Sequence, residues 1–276
     1  MPYLDVPGAK LYYEVQGEGP LLLFIPGAHG TGEIFRETAN LLTSHFTVVC
    51  WDRRGFSKST LTGPFDINKK LESDADDAQL LISHLSNGPA YVYGSSSGGV
   101  VALALLTRHP EAVRRAMIHE PPAFDVLPED QNRMAIGLVN KVYDTYRTAG
   151  PFASMDVFMY ALFTGEDLDY APLFLDPGQG GEIRGNLLYW YEFELRQYTS
   201  APIDLDALAK VKEKVIPAAG KVSLESPVAG PPALLSQKLS VPFVAIQGGH
   251  MPYFTNPEAF ARDLQEQFSD NNPPNI

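Results

Sequence analysis

The chain has 276 residues, 45% of them hydrophobic and 20% charged, and carries a formal net charge of -12. That length supports one large domain with a sizeable core or two small ones, and the composition is that of a globular chain, not a disordered one. The acidic balance excludes nucleic acid as a partner, whose phosphates need a basic face, and suits solubility and an uncharged substrate.

In chain order, MPYLDVPGAK lacks a basic segment followed by an apolar one, so no signal peptide is expected. KLYYEVQG followed by PLLLFIPG predicts the start of a hairpin, with turn signals at Gly17, Gly19 and Pro20. FTVVCWD (46–52) predicts a buried strand; its Cys50 is the single cysteine, which rules out an internal disulfide and reads as a buried thiol. Residues 71–85 place Leu71, Ala75, Ala78, Leu81, Ile82 and Leu85 at helical spacing with acids on the other face. AYVYG (90–94) reads as a strand, GGVVALALLTRHPEAV as a helix stopping near Pro110, and RRAMIHEPP as a strand ended by Pro121 and Pro122. Strands alternating with helices predict an α/β fold, with a mostly parallel central sheet flanked by helices.

From about 123 to 210 the texture changes to aromatics and methionine at helical spacing with no clear strand, which predicts a helical cap (123–210) inserted in a core domain (1–122 and 211–276). KVIPAAG (214–220) and VPFVAIQGG (241–249) restore strand-like runs. NPEAFARDLQEQF (256–268) predicts a closing helix with Asn256 as N-cap and Pro257 at its first position, and SDNNPPNI reads as a frayed tail. The longest apolar runs, LLLFI and VVALALL, are too short to cross a bilayer, so a cytoplasmic protein without membrane contact is expected.

Gly94-Ser95-Ser96-Ser97-Gly98 fits G-x-S-x-G between a strand and a helix, the context of a nucleophile elbow. A Gly/Ser linker would not be flanked by core segments such as AYVY and VVALALL. The spacing to both glycines selects Ser96 over Ser95 and Ser97. Side chains at 94 and 98 would collide with the neighbouring strand and helix, and the backbone N–H of Ser97 would face developing negative charge.

A serine needs a base. Among six histidines, His250 follows a strand, precedes a helix and lies near the chain end, where the base belongs in this order. His84 and His109 suit surface or capping roles. The usual acid position, after the strand at 214–220, reads Gly220-Lys221-Val222-Ser223, with serine in place of aspartate and Glu225 nearby. Glu120 in MIHEPP, at the end of the strand after the elbow helix, is the better acid, while strand alternation turns His119 to the opposite face. IPGAHG suits a tight turn whose Ala28 N–H pairs with that of Ser97 as an oxyanion hole, each donor contributing on the order of 3 kcal/mol. His29 adjoins that turn and faces substrate or solvent.

With IPGAHG, WDRRGFSKS, YGSSSGG and QGGHMPYFTNPEAFA, the chain resembles the α/β-hydrolase superfamily over essentially its whole length. The acid at Glu120, the His-Glu-x-Pro stretch and the Gly-x-His-x-Pro-Tyr segment, which contains Tyr253, make it similar to the zearalenone lactonase group. The resemblance implies opening of a resorcylic macrolactone by a serine–glutamate–histidine arrangement, with Trp190 equivalent to a cap tryptophan that packs on substrate; His29 and Tyr253 are further substrate-binding candidates.

No metal-ligand spacing and no phosphate-cradling loop stand out, so no metal or cofactor is expected. The expected partner is a small apolar ester or lactone, and a homodimer is compatible with the sequence. Carbon–carbon hydrolysis of a diketone, a haloperoxidase-like activity and a non-catalytic ligand receptor on the same scaffold stay open.

Overall fold

An uninterrupted apolar run such as LLLFI needs cover on both faces of a sheet. The computed structural model, which describes residues 2–269, places it in the interior of one; the tail from 270 onward lies outside the described residues. The strands are β1 (Tyr3–Val6), β2 (Ala9–Gln16), β3 (Leu21–Ile25), β4 (Thr47–Trp51), β5 (Thr60–Leu61), β6 (Ala90–Ser95), β7 (Val113–His119), β8 (Val215–Gly220) and β9 (Val244–Ile246). Their order is β1-β2-β4-β3-β6-β7-β8-β9, with β5 beside β2. From β4 to β9 every pairing is parallel, whereas β2 pairs antiparallel with β1, β4 and β5.

The hairpin expected between 10–17 and 20–27 does not form. β2 pairs with β1 and β4, and β4 separates it from β3. All five β3 residues are buried, which places that strand between two parallel neighbours, while β2 has half-exposed positions suited to the sheet's outer part.

Helices α1 (Arg36–Leu42), α2 (Lys70–Leu85) and α3 (Ser97–Arg108) link the strands of the first half. Six α-helices follow between β7 and β8: α4 (Glu129–Leu162), α5 (Glu166–Tyr170), α6 (Pro172–Leu175), α7 (Gly181–Phe193), α8 (Leu195–Thr199) and α9 (Leu205–Ala209). Then come α10 (Gly230–Leu239), α11 (Pro252–Thr255) and α12 (Pro257–Gln267); the Asn256 side chain caps α12 by accepting from Ala259 N–H at 3.3 Å, and Pro257 occupies its first position. α4 breaks at Gly150 (φ 88°), where Pro151 follows.

The period of two along each strand splits the core. Leu22, Phe24, Tyr91 and Tyr93 pack on one face with residues of α1, α12 and the inserted helices. Leu21, Leu23, Ala90 and Val92 pack on the other with α2 and α3. Each such buried Leu or Val contributes about 1.5–3 kcal/mol. Cys50 lies in this core, where burial pushes its thiol pKa up.

The acids of α2 do not all lie on a solvated face. Asp74 and Asp77 are fully buried. Arg53 Nη1 binds Asp74 Oδ2 at 2.7 Å, and Arg54 Nε binds Asp77 Oδ2 at 2.7 Å. Such burial is costly for a carboxylate unless a cation or hydrogen-bond donors compensate it, and here both cations come from the loop after β4.

Candidate active site

β6 runs into α3 with one residue between them, Ser96, at φ 53° and ψ -124°. That conformation costs a residue with a β-carbon about 1–3 kcal/mol and persists only where its surroundings impose it. Here Ser96 N–H donates to the His119 carbonyl at 2.9 Å, and Gly99 N–H donates to the Ser96 carbonyl at 2.8 Å. The turn closes only around glycine: a Cβ at Gly98 would run into the Ile25 carbonyl, and one at Gly94 would stand 2.9 Å from Ala102 Cβ.

The turn after β3 abuts this serine. A Cβ at Gly27 would lie 3.1 Å from Ser96 Cβ and 3.7 Å from its Oγ. The backbone N–H groups of Ala28 and Ser97 donate no hydrogen bond to another described residue. Arg53 ties the turn down: its N–H donates to the Gly30 carbonyl at 2.8 Å and its Nη2 to the Gly27 carbonyl at 2.7 Å. The same guanidinium binds both carboxylate oxygens of Glu194, between α7 and α8, at 2.7 and 2.8 Å.

Glu120 follows β7 directly, at φ 44°. Its N–H donates to the Ala218 carbonyl at 3.0 Å, and its Oε1 accepts from Gly220 N–H at 2.8 Å, so β8 fixes it from two sides. Oε2 lies 2.6 Å from Nδ1 of His250, in the loop after β9. His119 does not turn to the opposite face: alternation ends with the strand, the positive φ of Glu120 redirects its side chain, and His119 Nε2 lies 3.7 Å from Glu120 Oε1. His119 Nδ1 is hydrogen-bonded to the Tyr93 hydroxyl at 2.7 Å.

The electrostatics follow. Burial by itself would raise the Glu120 carboxyl, but the adjoining His119 and His250 imidazoles outweigh it and hold the pKa well below the usual carboxylate range. Burial pulls His250 down, yet its hydrogen bond to Glu120, with the charges of Glu120 and Asp167, leaves its pKa raised. Ser96 Oγ and the remaining nitrogen of His250, Nε2, form no hydrogen bond with a described residue.

Above the serine opens a cavity of about 860 Å³ lined by Ala28, Ser96 and Ser97, by the apolar side chains of Phe124, Leu138, Val142, Phe158 and Leu162, and by Trp190. Among the described residues, Glu225 is the only charged side chain on its wall. No hydrogen bond joins Glu225 to His250. Trp190 is buried and stands edge-on to Phe158.

Two of the predicted substrate contacts are not on that wall. Tyr253 is buried in the core, its ring 4.9 Å from that of Phe35, because α11 packs back on the first helices. His29 is buried beside the turn after β3, its Nδ1 without a partner among the described residues. Burial, with Arg53 and His250 nearby, lowers its pKa to about 3, so it is a neutral imidazole. Two further residues, not among those expected from the sequence, hold the site: Arg53 fixes the turn, and Asp167 on α5 accepts hydrogen bonds from the His250 loop. An Arg in WDRRGFSKS is a visible signal; nothing in GEDLDY distinguishes Asp167 from a solvated acid.

Among the described residues no group of three or more His, Cys, Asp or Glu is placed to hold a metal ion. No described helix is long and apolar enough to cross a membrane.

The model of the alpha/beta hydrolase fold family matches residues 20–208. An uncharacterized hydrolase, YraK, of Bacillus subtilis (strain 168) is 32% identical over 267 residues, covering 95% of this chain and 94% of that protein. A zearalenone hydrolase of Cladophialophora bantiana is 28% identical, with 95% and 94% covered. Among solved structures, the enol-lactonase from Burkholderia xenovorans LB400 superposes with a TM-score of 0.71 at 20% identity, covering 96% of this chain and 98% of the other, which speaks to the fold.

Proposed function

This chain belongs to the alpha/beta hydrolase fold family, and on that premise we propose that it is a serine hydrolase that cleaves an ester or lactone bond in an uncharged apolar or aromatic small molecule. The observation that carries the reading is the Glu120–His250 pair, set at the sheet edge beside the strained Ser96 turn under an apolar cavity.

His250 Nε2 takes the proton of Ser96 Oγ as that oxygen attacks the substrate carbonyl. The N–H groups of Ala28 and Ser97, unclaimed by the protein, receive the oxyanion. Collapse breaks the bond to the leaving oxygen, which takes the proton from His250 and leaves an acyl-enzyme. Water then gives a proton to His250 and attacks the acyl carbon; collapse of that intermediate breaks the bond to Ser96 Oγ, which takes the proton back from His250, releasing the acid and restoring Ser96. Glu120 holds the imidazole in the tautomer with Nδ1–H and stabilises the imidazolium. The Ser96–His250 contact is the link this reading adds, and such contacts commonly tighten only with substrate bound.

In a lactone the alcohol stays tethered to the acyl group, so product leaves after the second step. A resorcylic macrolactone is the specific substrate proposed, supported by the zearalenone hydrolase relative and by an aromatic wall that includes Trp190. Incubation with aryl esters, resorcylic lactones and 1,3-diketones, read by mass spectrometry, tests this. Ring-opened lactone, heavier by one water, is the expected product; turnover of the diketones alone would overturn it.

A further inference from the structure

Asp167 lies on α5, among the helices inserted between β7 and β8, and is 3% exposed. Its Oδ2 accepts from His250 N–H at 2.7 Å and its Oδ1 from Met251 N–H at 3.0 Å. It forms no ion pair with any described Lys, Arg or His. A buried carboxylate without a cation is costly, and a helix that served only to pack would place an apolar residue there. The loop is shaped to receive it, because a Cβ at Gly249 would collide with the Asp167 carboxylate.

We propose that Asp167 is a positioning residue that fixes the main chain of His250, so that the inserted helices set the reactivity of the base. The inference rests on the serine-hydrolase reading. His250 is then held at two points, its N–H by Asp167 and its Nδ1 by Glu120. The first anchor belongs to α5, one of the inserted helices, whose neighbours α4, α7 and α8 line the cavity, and the second to the sheet, so displacement of α5 moves the imidazole relative to Ser96. Phe163, which precedes α5, adds a third constraint, its ring 5.4 Å from that of His250.

The test compares Asp167→Asn and Asp167→Ala with Glu166→Gln, a change at the exposed neighbour. Amide hydrogen exchange of the peptide containing His250 and Met251 reads the anchor itself. Turnover of a p-nitrophenyl ester, per site titrated with a fluorophosphonate, reads its consequence. Faster exchange at the two amides is expected in both Asp167 variants, together with a kcat roughly 10- to 100-fold lower and a much smaller change in KM, the scale of a misplaced catalytic group. The acid limb of the pH profile should move to lower pH, because a negative charge near His250 is gone; among the described residues Glu120, His119 and His29 also interact with that imidazole and stay in place. Glu166→Gln should match the parent throughout.

Parent-like exchange, or parent-like kcat per titrated site with an unmoved pH limb, overturns the proposal. Asp167→Asn preserves side-chain size and decides the matter if Asp167→Ala does not fold. A parent protein that takes no phosphonate at Ser96 sinks the hydrolase reading and the catalytic half of this inference with it; labelled parent and unaffected Asp167 variants sink only the inference.

Discussion

Nδ1 of His250 lies 2.6 Å from Oε2 of Glu120, a residue 130 positions earlier in the chain. The carboxylate reaches the imidazole because its other oxygen is fixed by Gly220 N–H, at the end of the neighbouring strand. Glu120→Gln keeps the shape but puts an NH2 group or a single weaker acceptor where the carboxylate served both partners. The expected loss in kcat is about 10³- to 10⁴-fold, the scale seen when the orienting acid of such a triad is neutralised. Glu225→Gln, at an exposed side chain on the cavity wall, should retain the parent rate. Steady-state kinetics on one ester decide between the two acids.

The pH dependence has a fixed sign. His250 must be neutral to accept the Ser96 proton, and its pKa is raised by Glu120 and Asp167 against the opposite pull of burial. Activity should therefore be lost as pH falls through an apparent pKa above the ordinary imidazole value of about 6.5. Glu120→Gln should move that limb to lower pH. A parent limb well below the ordinary value would contradict the assignment.

Much of this was legible because the signals are local. A glycine on either side of Ser96, with an apolar strand before and an apolar helix after, specifies a turn whatever surrounds it, and His250 stands between a strand and a helix. Glu120 stands out in the sequence because Ser223 occupies the position where an acid is usual. What stayed hidden depends on packing partners distant in sequence. Asp74 and Asp77 share the helix face of solvated acids until Arg53 and Arg54 are brought onto them. Tyr253 follows the histidine in sequence yet faces Phe35. The 10–17 strand and its neighbour in sequence read as a hairpin, yet the place between them in the sheet belongs to 47–51.

Arg53 is buried with Asp74, Glu194 and Lys70 and reaches the Gly27 carbonyl. Arg53→Met would leave two carboxylates buried with one ammonium between them. Urea denaturation should show a loss of about 3–5 kcal/mol, as for other broken buried pairs. A change within experimental error would mean that the guanidinium contributes no net stabilisation.

Trp190 offers the largest apolar side chain on the cavity wall. Trp190→Ala should raise KM for aromatic esters by about tenfold or more, from roughly 1.5–3 kcal/mol of lost apolar contact, and change acetyl ester turnover far less. Among the described residues Glu225 is the sole charge on that wall, so a substrate analogue bearing a carboxylate should bind more weakly than its neutral amide, and Glu225→Gln should narrow the gap. Inhibition constants for the two analogues measure it.

The most direct measurement is the site of covalent capture. Treatment with a fluorophosphonate, followed by peptide mapping, should place a single adduct on Ser96, absent from Ser96→Ala, which should also lose ester turnover while keeping its fold. An adduct on another residue, or a Ser96→Ala protein that hydrolyses esters at the parent rate, would contradict a nucleophilic role for Ser96.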